Sequence, residues 1–162
     1  QQSHGLGVGF INVAVGGSNL AEWNPGTPYF DRLVEALELT KATGLTAVLW
    51  HQGESDHHLT AQAYNEDLEN IIQSSRSLSK LPDSPWLVTV ASLQSHLISE
   101  DIRKGQQDTI DISKHIYPGP DTDVIGMEYR DTKYEVHFTR EGNVLASTLW
   151  LESLNAFMKT TE

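Results

Sequence analysis

The stretch "VLWHQGESDHH", Val48 to His58, decides how this chain is read. It opens as a buried strand and ends in a cluster of polar and ionisable groups. Strands of a sheet covered on both faces read as continuous apolar runs. In open α/β sheets ligands are met beyond the carboxyl ends of those strands. An apolar run that stops in His51, Gln52, Glu54 and Asp56 fits both statements.

Working outward, strand and helix signals alternate along the chain. Val8 to Val15, "VGFINVAV", is β-branched and apolar and stops at Gly16-Gly17, so it reads as a strand. After Pro28, Tyr29 to Gly44 reads as a helix, with Phe30, Leu33, Val34 and Leu37 at helical spacing and Gly44 as its stop. Leu45 to Trp50 is the next strand. Ala61 to Leu78 follows as a helix with Tyr64, Leu68, Ile71 and Ile72 on one face. Pro85 to Leu93 reads as a strand, Ser99 to His115 as a weakly periodic helix and Asp121 to Glu128 as a short strand. A last helix starts near Thr139, a plausible N-cap, with Leu145, Leu149 and Leu154 as its apolar stripe. This alternation predicts an α/β fold: a mostly parallel sheet with helices on both faces, in one domain over residues 1–162.

Composition narrows the function classes. The chain has 162 residues, enough to bury a core, and a formal net charge of −11. Such an acidic surface repels phosphate backbones and anionic lipid, so neither nucleic acid nor membrane is an expected partner. There are no cysteines, which removes disulfides, thiolate nucleophiles and cysteine-bound zinc. No apolar run reaches the length of a membrane span. His51, His57 and His58 form no familiar metal-ligand spacing and read as solvated side chains. Glu54 and Asp56 suit either a paired acid-base set or structural hydrogen bonds. Trp23 and Trp50 read as core or pocket wall.

Three stretches, "GGSNLAEW" (Gly16 to Trp23), "WHQGESD" (Trp50 to Asp56) and "VHFTREGN" (Val136 to Asn143), together resemble the sialate O-acetylesterase-like branch of the SGNH hydrolases. The resemblance implies a flavodoxin-like three-layer α/β/α fold and a serine esterase acting on O-acetylated carbohydrates, sialic acid or polysaccharide, through an acyl-enzyme. It implies no metal or organic cofactor. By motif, Gly17 corresponds to a backbone oxyanion donor, Gln52 to a side-chain oxyanion donor and His137 to the general base, with Glu54 supporting. The residue types agree with those roles. A glycine lets a backbone N–H approach a substrate closely, an amide donates to developing negative charge, and an imidazole accepts a serine proton at neutral pH.

Two departures from the family pattern raise expectations of their own. The family carries its nucleophile in a Gly-Gln-Ser-Asn stretch after a first strand that has no counterpart here. Ser3 is too close to the Val8 strand for a parallel crossover, and Ser18 is a fallback nucleophile that reads first as a loop residue. The domain is therefore expected to be incomplete on its N-terminal side, with an upstream segment or a second chain filling the sheet and supplying the serine. The family also places an Asp three residues before the His, where this chain has Tyr134. Glu135 or Asp131 is left to orient the imidazole, with Glu135 preferred for its closeness, or the site works as a dyad without an acid. The competing reading is a catalytically inactive carbohydrate-binding or assembly domain on the same fold; a lipid or thioester hydrolase differs only in pocket walls. The expected location is extracellular or secreted.

Overall fold

The computed structural model describes residues 7–160, so Ser3 lies outside the described residues. Three strands, β1 (Val48–Trp50), β2 (Trp86–Val90) and β3 (Ile116–Asp121), form an all-parallel sheet in that order. Four helices accompany them: α1 (Pro28–Leu39), α2 (Ala61–Ser79), α3 (Glu100–Thr109) and α4 (Arg140–Thr160). Thr27, Thr60 and Ser99 cap the first three by accepting a backbone N–H of the first turn.

Pleating sends alternate residues of each strand to opposite faces. The cross-strand row Leu49, Leu87 and Tyr117 turns toward α4, where Phe157, Trp150 and Leu154 cover it. Trp50, Trp86, Val88 and Ile116 turn the other way, into the larger core with Phe30, Leu33 and Leu37 of α1, Leu68, Ile71 and Ile72 of α2, and Ile102 of α3. Leu68, Ile71 and Ile72 are all 0% exposed, and each such burial stabilises by about 1.5–3 kcal/mol. The chain is thus a three-layer α/β/α arrangement, as the alternation of signals predicts.

Two strand expectations need correction. The last strand is not Asp121 to Glu128 but β3, "IYPGPD", whose two prolines and glycine argue against a strand when read alone. It is the sheet edge, where a proline's missing N–H leaves no ladder bond unmade on the open side. Gly119 is needed there because a Cβ would stand 2.9 Å from Val88 O and Thr89 N. Residues 8–15, expected as a strand, pair with nothing as a strand. Val13 and Val15 pack against the core, whereas Val8, Phe10 and Ile11 are 63%, 78% and 52% exposed. A strand exists only through its neighbour's hydrogen bonds, and the edge of β1 away from β2 carries no partner among the described residues.

Candidate active site

Beyond β1 the chain turns through His51 to Asp56 and is pinned from below. Gly53 has φ +154°, and a Cβ there would lie 2.1 Å from Ala91 O and 2.3 Å from Gln106 Nε2. Gln106, fully buried on α3, accepts from Ala91 N–H at 2.9 Å and donates to Ala91 O at 2.9 Å and Gln52 O at 2.8 Å. The loop after β1 is thereby stitched to the end of β2.

The Gln52 side chain is held from every side. Its Oε1 lies 2.9 Å from the Tyr64 hydroxyl, whose proton is raised above the usual phenol pKa by burial. Its amide nitrogen donates to Asp56 Oδ2 and, at 3.3 Å, to Ser18 O. Asp56 Oδ2 also accepts Leu20 N–H at 3.0 Å. Burial pushes the Asp56 carboxyl up, while the Gln52 and Leu20 donors hold it back. Asp56 is thus a structural acceptor joining the Gln52 loop to the segment after Gly16-Gly17.

That segment opens with a turn in which Ser18 N–H reaches Val15 O at 3.4 Å. Gly17 sits at φ +74° with open space where a Cβ would be. The Ser18 hydroxyl donates to Val15 O at 2.9 Å and accepts from Trp23 Nε1 at 2.9 Å. The hydroxyl of the fallback nucleophile is therefore engaged within its own loop, and no imidazole is hydrogen-bonded to it among the described residues. Ser55 Oγ, 3.3 Å from Gly17 O, adds a second tie between the two loops. Gly17 and Gln52, named separately from the sequence, are brought together by these contacts.

His137 comes from the loop before α4. Arg130, 3% exposed, clamps the base of that loop by donating to Thr122 O at 3.1 Å, Ile125 O at 3.3 Å and Val136 O at 2.6 Å. Asp131 N–H donates to His137 O at 2.7 Å. The Asp131 carboxylate accepts Tyr134 N–H at 2.6 Å, Lys133 N–H at 2.9 Å and His137 N–H at 3.0 Å. Those N–H groups, Tyr134 first, keep it below the usual carboxylate range. Its Oδ2 also lies 3.4 Å from His137 Nδ1. Glu135, the preferred orienting acid from sequence, has its carboxylate 3.8 Å from His96 Nε2 instead. The reason is local: Glu135 has φ +54°, and Asp131 closes the loop as an Asx turn onto its own chain. The sequence signal for this is an Asp, a residue whose side chain favours turns, six positions before the His.

The two halves meet through His51. Its ring centroid is 6.0 Å from Phe138 and its Nε2 is 3.4 Å from Thr122 Oγ1. Crowding by its neighbours lowers the His51 pKa, opposed by Glu54, whose Oε1 is 3.8 Å away. Glu54, expected in a supporting role, thus stands beside His51. Gln52 follows His51 and His137 precedes Phe138, so the two loops that carry them meet at the His51–Phe138 contact. His57 goes elsewhere, with Nε2 2.5 Å from Ser92 O, and His58 is exposed. Ser92 is buried, and its hydroxyl donates to Asp123 Oδ2 at 2.8 Å. Asp123 is in turn paired with Arg103 at 2.8 Å.

The family profile described as carbohydrate esterase, sialic acid-specific acetylesterase, matches residues 1–153. The chain belongs to this family. A probable carbohydrate esterase of Arabidopsis thaliana is 34% identical over 92 residues, 52% of this chain and 35% of that protein. The 1.6 Å X-ray structure of an Arabidopsis thaliana protein is similar with a TM-score of 0.70 at 25% identity, covering 89% of this chain and 58% of that one. The chain therefore corresponds to only part of these carbohydrate esterase relatives. The resemblance carried by the Gly16, Trp50 and Val136 stretches holds at the level of the family and of its α/β fold.

Proposed function

We propose that this chain carries the base and the oxyanion-binding side of a serine esterase that removes acetyl groups from O-acetylated carbohydrates. The observation that carries the proposal is the Asp131–His137 pair. The Asp131 carboxylate stands 3.4 Å from Nδ1, a position from which it would hold the tautomer that leaves Nε2 to take a serine proton. His137 keeps 59% of its side chain exposed, as a group that meets substrate must. An inactive binding domain has no use for an accessible imidazole oriented in this way.

In the mechanism, the serine oxygen attacks the acetyl carbonyl as its proton passes to His137 Nε2. The Gly17 N–H and the Gln52 amide donate to the oxyanion. Gln52 frees one N–H by giving up its longer bond, the 3.3 Å contact to Ser18 O, while the bond to Asp56 keeps the amide in place. The tetrahedral intermediate collapses, and His137 protonates the departing sugar oxygen. Water then attacks the acyl-enzyme with His137 again as base, releasing acetate and the free serine.

The serine is supplied by a segment that pairs with the open edge of β1. Among the described residues no serine hydroxyl is hydrogen-bonded to an imidazole, which supports that assignment. Fluorophosphonate labelling with peptide mapping tests it, together with hydrolysis of 4-nitrophenyl acetate and an O-acetylated sugar. The expected label is on a serine outside residues 7–160, with acetate release lost in His137→Ala. Label on Ser18 or Ser55, or an enzyme inert to probe and esters alike, would overturn the proposal.

A further inference from the structure

Among the described residues, five other than glycine hold a left-handed backbone: Lys80, Ser95, His96, His115 and Glu135. Two of them end helical turns. Lys80 caps α2, its N–H reaching Arg76 O and Ser77 O, and His115 closes the 3₁₀ turn Ile112–Lys114. The other three lie together, with Glu135 two residues before His137 in the chain. Ser95 N–H donates to Glu135 O at 3.0 Å, and His96 Nε2 stands 3.8 Å from Glu135 Oε1. The loop between β2 and α3 is thereby joined to the loop that carries the base, two residues from it.

Glycine takes this backbone conformation without strain, whereas a residue with a Cβ takes it against its preference. If only the shape of these loops mattered, glycine would serve better at each position. The side chains are not kept for the core: those of His96 and Glu135 are 69% and 43% exposed. We infer that His96 and Glu135 bind the sugar portion of the ester next to His137 and so select the alcohol that the enzyme deacetylates. This rests on the esterase reading of the site. An imidazole and a carboxylate 3.8 Å apart offer a donor and an acceptor to the hydroxyl groups of a sugar. Tyr134, 52% exposed and edge-on to His137 at 5.5 Å, adds aromatic surface to the same ridge.

The test is steady-state kinetics of His96→Gly and Glu135→Gly in the active enzyme, with Lys80→Gly as a control away from the site. Each site variant loses about one hydrogen bond to the sugar, so KM for an O-acetylated sugar should rise about five- to tenfold with kcat nearly unchanged. Their Tm should not fall, because glycine relieves the backbone. Lys80→Gly should leave KM unaltered. Unchanged KM in both site variants, or a fall in kcat alone, would overturn the inference while leaving the esterase intact. A parent enzyme that releases acetate from neither the sugar nor 4-nitrophenyl acetate would overturn the esterase reading and this inference with it.

Discussion

Gln106 is the residue whose replacement tests the architecture of the site most directly. Its amide satisfies Ala91 N–H and Ala91 O and supports Gln52 O, all away from water. Gln106→Leu keeps much of the volume but removes every one of these bonds. Gln52 O keeps its share of the single Tyr64 hydroxyl proton, which lies between it at 3.0 Å and Gln52 Oε1 at 2.9 Å, so the two groups left with no partner are both on Ala91. An orphaned buried backbone group costs about 1–3 kcal/mol. The expected destabilisation is therefore about 2–6 kcal/mol, read as a lower urea midpoint at constant slope. Gln106→Glu separates the bonds. One carboxylate oxygen still accepts from Ala91 N–H, but neither carbonyl receives a proton unless the carboxyl is protonated. Burial raises the folded-state pKa of that carboxyl above the unfolded value of about 4.3. The variant is thus least penalised below that value and loses stability as pH rises through the folded pKa. Urea titrations at acidic and neutral pH check both statements. A loss below about 1 kcal/mol in Gln106→Leu, or a Gln106→Glu deficit independent of pH, would show that the stitch between β1 and β2 is not held by these bonds.

Other outcomes follow from the same contacts. His137→Ala and Asp131→Asn should each lower kcat on an aryl acetate by about 10²–10⁴, the range of a positioned general base; Tm should be little changed in His137→Ala but lower in Asp131→Asn, whose amide nitrogen cannot accept the His137 N–H, and full activity in Asp131→Asn would return the orienting role to another acid. Gln52→Ala should lower kcat by about 10²–10³ with KM little moved. It should also lower stability, because Asp56 keeps only the Leu20 N–H; a change in stability without one in kcat would make Gln52 structural. Asp123→Asn should cost about 2–4 kcal/mol at pH 7, since it leaves Arg103 with Asp121 alone and weakens the Ser92 loop. Burial opposes ionisation of Asp123, but the Ser92 and Leu93 N–H groups and Arg103 outweigh it and hold its pKa down. Its contribution is present above the unfolded value of about 3.9 and fades as pH falls through the folded pKa, so the gap between parent and variant should narrow below about pH 4.

The sequence by itself determined the layered α/β class, the positions of α1 and α2, and the three stretches that belong to the family. Those features are local: helical spacing at Phe30, Leu33 and Leu37, apolar runs at Leu45 to Trp50 and Pro85 to Leu93, and seven ordered residues from Trp50 to Asp56. Tertiary structure decided what spacing does not encode. "IYPGPD" is a strand because it lies at a sheet edge against Val88 and Thr89, and a lone sequence does not say where the edge is. Val8 to Val15 has strand-forming residues but no strand to bond among the described residues, and pairing belongs to two segments at once. Asp131 rather than Glu135 faces His137 because a loop closed by backbone hydrogen bonds, with a left-handed residue at Glu135, brings the residue six positions away nearer than the residue two positions away. In an extended chain separation in sequence is a guide to separation in space; in a turn stitched by its own carboxylate it is not.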